Sequence, residues 1–147
     1  MNELSDSELV DKISYSLIGD IGSPGKPPTT LEMELFFDIY CFDMEVGSGG
    51  SFEQYFRWSS KEQVDRIVTQ LEEAGLDAII ESTKMAIEIA FPNGVPEDQD
   101  IYEECTDWSD EQERKLDELY EREECLHSLI EEKLALYARE KSLLSLI

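Results

Sequence analysis

Basic residues are what this chain is short of. Lys and Arg number 12 against 35 Asp and Glu, with a single histidine, giving a formal net charge of -23 and a pI near 4.1. Binding a DNA or RNA backbone needs cations to replace condensed counterions, so this surface repels phosphates and no direct nucleic-acid contact is expected. An anionic membrane leaflet is disfavoured for the same reason. No apolar run approaches the roughly 18 residues of a spanning helix, and Met1-Asn2-Glu3-Leu4 lacks the basic start of a signal peptide. Cys41, Cys105 and Cys125 are odd in number and widely spaced, which suits free thiols in a reducing cytosol. The expectation is a soluble cytoplasmic protein whose 147 residues, 41% of them hydrophobic, fill one core without staples.

Chemistry-bearing motifs are equally scarce. His127 would have to serve any nucleophilic relay, yet Cys125 and His127 lie two apart, on different faces of a helix. It reads as a helix-surface or boundary residue. Cys105, Cys125 and His127 offer three zinc ligands where four are needed, without CxxC-type spacing. Glu97-Asp98-Gln99-Asp100 lacks the glycine and terminal Glu of a calcium loop. Gly47-Ser48-Gly49-Gly50 has no following Lys-Ser/Thr and acidic neighbours, so it reads as a structural turn rather than a phosphate cradle. No enzyme activity, cofactor or metal is expected.

What is abundant is helical periodicity. Ser5 and Glu8 form a capping-box pattern ahead of Leu9, Ile13 and Leu17, which predicts a helix over 5–18. Gly19 and Gly22 stop it, and Ser23 to Pro28 reads as a linker or tight loop. Residues 1–28 are therefore set apart as a helix and a Pro/Gly linker, with the helix a candidate separate arm, and 29–147 as a helical domain. A second helix starts at Thr29 or Thr30, with Glu32 as capping partner, and runs to about Val46. It is apolar nearly all round, which predicts a central place in the core. Ser51 to Trp58 is short, aromatic and helical. Ser59 with Glu62 predicts the next capping box, on a helix ending at Ala74-Gly75. Leu76 to Phe91 follows as its hairpin partner. Glu97 to Thr106 reads as acidic and irregular. Ser109 and Gln112 cap a final helical region to about Leu146, out of phase around Glu121 to Glu124, so kinked or double. The fold class is all-α, a bundle of about five to seven helices.

Charge is unevenly spread along these elements. Glu97 to Glu124 holds fourteen acids, and from Glu97 to Glu113 there is no cation at all. A second bare stretch lies between Lys26 and Arg57. Such blocks can be a solvated face that keeps the protein soluble, or a halophile's surface, although the many large aliphatic and aromatic residues argue against the latter. A third reading is imitation of a polyanion. Duplex DNA carries one charge per about 1.7 Å, so 23 charges correspond to roughly 40 Å of axis. A globule of this length is about as wide. The strongest patch is expected at Glu97, Asp98, Asp100, Glu103, Glu104, Asp107, Asp110 and Glu111. Glu32, Glu34, Asp38, Asp43 and Glu45 make the second.

The run Tyr40…Glu45-Val46…Gly49-Gly50-Ser51-Phe52-Glu53-Gln54-Tyr55-Phe56 resembles the V-x-N-G-G-F-x-Q-F-F signature of the bacterial DNA-mimic protein family. Here Ser51 stands between Gly50 and Phe52, Tyr55 replaces one Phe, and Ser48 replaces the Asn. The helix break at Ala74-Gly75 and the last helix with Leu116, Tyr120, Leu126, Leu134 and Tyr137 are similar to the family's as well. The resemblance spans roughly 30–140. It implies an all-helical homodimer whose acidic surface occupies the DNA-binding face of a transcription regulator, with Gly49, Gly50, Phe52, Gln54 and Phe56 as scaffold. An immunity or antitoxin-like protein that blocks a basic toxin, such as a nuclease, would use the same acidity.

Overall fold

The computed structural model describes residues 4–20, 23–24, 30–123, 125–141 and 143. Among them are eight α-helices, one more than the upper end of the expected range: α1 (Asp6–Ile18), α2 (Leu31–Phe42), α3 (Phe52–Trp58), α4 (Lys61–Glu73), α5 (Asp77–Ala90), α6 (Gln99–Glu104), α7 (Asp110–Glu121) and α8 (Leu126–Glu140). A π-helical turn, Asp43–Gly47, extends α2. Two two-residue strands, β1 (Gly19–Asp20) and β2 (Ser23–Pro24), pair antiparallel after α1. Gly22, expected to help stop the first helix, and the rest of the expected linker, 25–28, lie outside the described residues, as do Thr29, Glu124 and the stretch 144–146 over which periodicity extends the last helix.

Helix starts follow the side-chain chemistry closely, with two frames corrected. Ser5 Oγ accepts from Glu8 N at 3.2 Å, as the spacing predicts. At α2 the cap is Thr30, whose Oγ1 accepts from Met33 N at 3.1 Å; Glu32 is then the second helical residue, not the third, and does not close a box. At α4 the box is Ser60 with Gln63 rather than Ser59 with Glu62. Ser59 is occupied in closing α3, its hydroxyl donating to the Tyr55 carbonyl at 2.5 Å. Ser109 and Gln112 form the box expected for α7.

Stops are equally local. After α4, Gly75 takes φ +79 and Leu76 N–H reaches back to the Leu71 carbonyl at 2.9 Å, the glycine-closed end that the sequence predicts. The out-of-phase stretch before α8 is a true break, with Cys125 in the left-handed region at φ 54.

The core has α2 at its centre, packed against α4, α8 and α1. Phe36, Ile39 and Phe42 are fully buried there. The α1 helix lies along α8 and sends Leu9, Val10 and Ile13 into the same core. Arg139 on α8 clasps it by donating to Asp6 Oδ1 at 2.8 Å and the Leu4 carbonyl at 3.2 Å. Aromatic rings fill the other end. Phe42 meets Tyr55 edge-on at 5.0 Å between centroids, and Phe56 meets Phe91 at 5.5 Å and Trp108 at 6.4 Å.

The π turn decides how α2 hands over to α3. Ser48 N–H reaches back five residues to the Asp43 carbonyl at 2.7 Å, so one extra residue is fitted into the turn. Met44, which the sequence places on one apolar stripe with Met33, Phe36, Phe37 and Tyr40, is half-exposed and continues the partly buried line of Phe37 and Tyr40, while Val46 continues the fully buried line of Ile39 and Phe42. Gly50 then takes φ +76, and the Ser51 that departs from the family motif is the N-cap of α3, accepting from Gln54 N at 3.1 Å. Gly49 has no room for a side chain: a Cβ would sit 2.6 Å from the carbonyl oxygens of both Met44 and Glu45. Gly49→Ala is therefore expected to cost about 1–3 kcal/mol, because only backbone movement relieves the clash. Thermal unfolding should show a fall in Tm of several degrees, whereas exposed Ser48→Ala should leave Tm within about a degree or two.

Candidate partner-binding surface

The stretch from Glu97 to Thr106 is not irregular, as its composition suggests, but built around α6. Asp98 caps that helix, its Oδ1 accepting from Asp100 N at 2.8 Å and Ile101 N at 3.3 Å. Tyr102 faces inward, fully buried, and its hydroxyl donates to the Phe56 carbonyl at 2.5 Å. Six residues on, Trp108 is buried and donates from Nε1 to the Ala90 carbonyl at 3.0 Å, with the Arg57 guanidinium 5.7 Å from its ring centre. Two aromatic anchors thus hold the acidic segment against α3 and α5.

Glu97, Asp98, Asp100, Glu103, Glu104, Asp107, Asp110 and Glu111 are all exposed. Asp110 and Glu111 sit in the first turn of α7, where the helix dipole favours negative charge. Glu111 has Lys115 one turn on at 3.6 Å. An exposed pair of this kind contributes little and leaves the carboxylate accessible. Gln112 ties the start of α7 down, donating to the Ile89 carbonyl at 2.9 Å.

The second expected patch divides. Glu32, Glu34 and Glu45 are half-buried at the surface, Glu34 lying 3.6 Å from Arg66. Asp38 and Asp43 are corrected: they are 1% and 3% exposed and point into the protein. Asp38 receives Arg66 through Nε at 2.6 Å and Nη2 at 3.2 Å, and Gln70 Nε2 at 2.7 Å, bolting α2 to α4. A buried carboxylate survives only with such partners. Asp43 lies 2.8 Å from His127 Nδ1, and His127 Nε2 lies 3.5 Å from Glu131. His127 is thus the boundary residue that its sequence position predicts, spanning α8 and the π turn.

Sequence reasoning missed Tyr102, Trp108 and Trp58. The signal for the first two was available: large aromatics inside a run of acids can only be anchors. Gln54, which the family motif marks as scaffold, accepts from Trp58 Nε1 at 3.0 Å. Glu53 in the same motif is pushed up mainly by burial, with Ser51 opposing and Asp117 adding to the rise. Among the described residues no group of three or more His, Cys, Asp and Glu side chains is placed to hold a metal ion, and no helix is long and apolar enough to cross a membrane.

Asp43 makes the stability of this region depend on pH. Burial pushes its pKa up to about 6, with His127 pulling the other way and Glu131 adding to the rise. Between about pH 4 and pH 6 the native chain keeps this proton and the unfolded chain does not, so this group's contribution falls as pH rises through that window. At pH 8 the buried charge costs roughly 3 kcal/mol. Asp43→Asn removes the titration, so it should gain stability over the native chain at pH 8, by up to about that amount. The gain should shrink by about 1 kcal/mol or more at pH 5. Urea unfolding at the two pH values checks this; a difference independent of pH would show that the carboxylate does not titrate in the native state.

The family comparison agrees with the geometry of the helical body. Residues 30–141, from the cap of α2 to the end of α8, match the family described as DMP19-like protein. No curated protein and no solved structure gives a match. On that span, more than half of its length, the chain belongs to the DMP19-like protein family, the DNA-mimic family that its Gly49-Gly50…Phe56 motif resembles.

Proposed function

We propose that this protein is an acidic, non-enzymatic binding protein that occupies the DNA-binding face of a basic DNA-binding protein, in the manner of a DNA mimic. The observation that supports it most is the Glu97–Glu111 segment: eight exposed carboxylates, without an intervening cation, on a stretch held by Tyr102 and Trp108. Membership of a DNA-mimic family points the same way. A solvated face needs charge but no anchoring, whereas a surface that replaces DNA has to hold its charges in position before the partner arrives.

On this reading the partner's Lys and Arg pair with Glu97, Asp98, Asp100, Glu103, Glu104, Asp107, Asp110 and Glu111, with Glu32, Glu34 and Glu45 as a second contact. Clustered carboxylates release fewer condensed counterions than DNA does, yet the attraction still weakens with salt. The long-range field of a chain at -23 speeds encounter with a basic protein.

Neutralising the first eight acids to Asn or Gln tests the assignment. Asn is as good an N-cap as Asp, so the change at Asp98 should keep α6. The native chain, used as bait in lysate, is expected to retain a DNA-binding protein that high salt or duplex DNA displaces. The neutralised variant should retain at least about tenfold less, a loss of roughly 1.4 kcal/mol or more. Equal capture by both would remove these residues from the interface, and recovery of a toxin domain insensitive to DNA would replace mimicry with immunity.

A further inference from the structure

Where α2, the π turn, α3 and the start of α4 meet, a mainly apolar cavity of about 250 Å³ opens beside Tyr40, Met44, Glu45, Tyr55 and Trp58. Small-molecule sites commonly run from about 300 to 1,000 Å³, so this volume suits a single side chain better than a cofactor. Its walls are unusual for a surface. Trp58 is 72% exposed and Met44 50% exposed, far more than large apolar side chains with a core at hand. Trp58 is nevertheless held in place, since its Nε1–H is engaged by Gln54 and most of the ring stays open.

One charged group at the same cavity is left without work. Glu45 takes part in none of the ion pairs among the described residues. The Tyr55 hydroxyl is buried beside the Ser59 hydroxyl, which accepts from it. The local field is negative: burial first, then Asp38 and Glu45, push the Cys41 thiol up to about 11. An aromatic face, a soft thioether and a free carboxylate together match a cation that is planar and weakly hydrated. A guanidinium stacks on indole and gives parallel N–H donors to a carboxylate, which an ammonium cannot do.

We propose that this cavity receives an arginine side chain of the partner protein, with the guanidinium stacked on Trp58 and paired with Glu45. The source of the arginine rests on the DNA-mimic reading, because faces that grip DNA carry arginines for phosphates and bases. The cavity adds what an acidic surface lacks. Carboxylates on the rim attract any basic protein, while a desolvated aromatic slot selects one side chain and its position.

Blocked single amino acids probe the slot in the full chain: N-acetyl-arginine methylamide, its lysine counterpart and the uncharged citrulline isostere. The readout is the indole N–H signal of Trp58 in an NMR titration, assigned through Trp58→Phe. The arginine probe should shift it saturably, the lysine probe about fivefold more weakly, and citrulline not at all. Glu45→Gln should weaken the arginine response at least about fivefold, whereas neutralising the Glu97–Glu111 acids should leave it unchanged. No shift, an equal shift with citrulline, an unaltered response in Glu45→Gln, or a shift on concentrating the chain alone (a second copy in the slot) each overturns the proposal. Capture from lysate separates the two readings. If Trp58→Ala retains the DNA-binding protein as well as the native chain does, the slot is not used and mimicry stands. If the arginine probe binds but nothing displaceable by DNA is captured, the slot stands and mimicry falls.

Discussion

Two hydrogen bonds from aromatic side chains to backbone carbonyls decide whether the acidic segment has a shape at all. Between Glu97 and Glu113 the chain carries nine acids and no cation, and left to itself it would extend by self-repulsion. Tyr102 reaches the Phe56 carbonyl and Trp108 the Ala90 carbonyl, and the rings of both lie in the aromatic end of the core. Burying a large ring with its polar group satisfied contributes a few kcal/mol at each point, enough to oppose repulsion that water and salt already screen. Mimicry, on this view, depends as much on Tyr102 and Trp108 as on the carboxylates they hold.

The parts of this fold that could be read from sequence are those governed by neighbours three or four residues apart. Ser109 with Gln112 and Gly75 after α4 act where the spacing places them. Spacing misplaces a helix start where two candidates compete in adjacent positions. Ser59 and Ser60 are chemically alike, and only the closing bond from Ser59 to the Tyr55 carbonyl leaves Ser60 to open α4. The helix α6 escaped notice because six residues with a single inward side chain carry no periodicity.

Charge is where the sequence misleads most. A linear count treats Asp38 and Glu34 as equals, yet Asp38 is enclosed by Arg66 and Gln70 from α4, about thirty residues away. Asp43 is enclosed by His127 from still further off. Burial of an acid depends on whether a distant donor arrives to meet it, and no local pattern reports that. Apolar residues mislead in the same way: Met44 follows the line of Phe37 and Tyr40, which are only partly buried, and ends with Glu45 at a cavity beside Trp58.

Four of the 12 cations that the chain possesses are committed to its own architecture. Arg66 holds the buried Asp38, Arg57 covers Trp108, Arg139 clasps α1, and Lys61 is bound to Asp65. A negatively charged protein with loose lysines can fold them over its own acids and quench part of its field. Here those four are tethered elsewhere, and among the described residues of the Glu97–Glu111 segment only Glu111 has a cation in ion-pair range, Lys115, so an approaching positive body meets the other seven carboxylates undiminished.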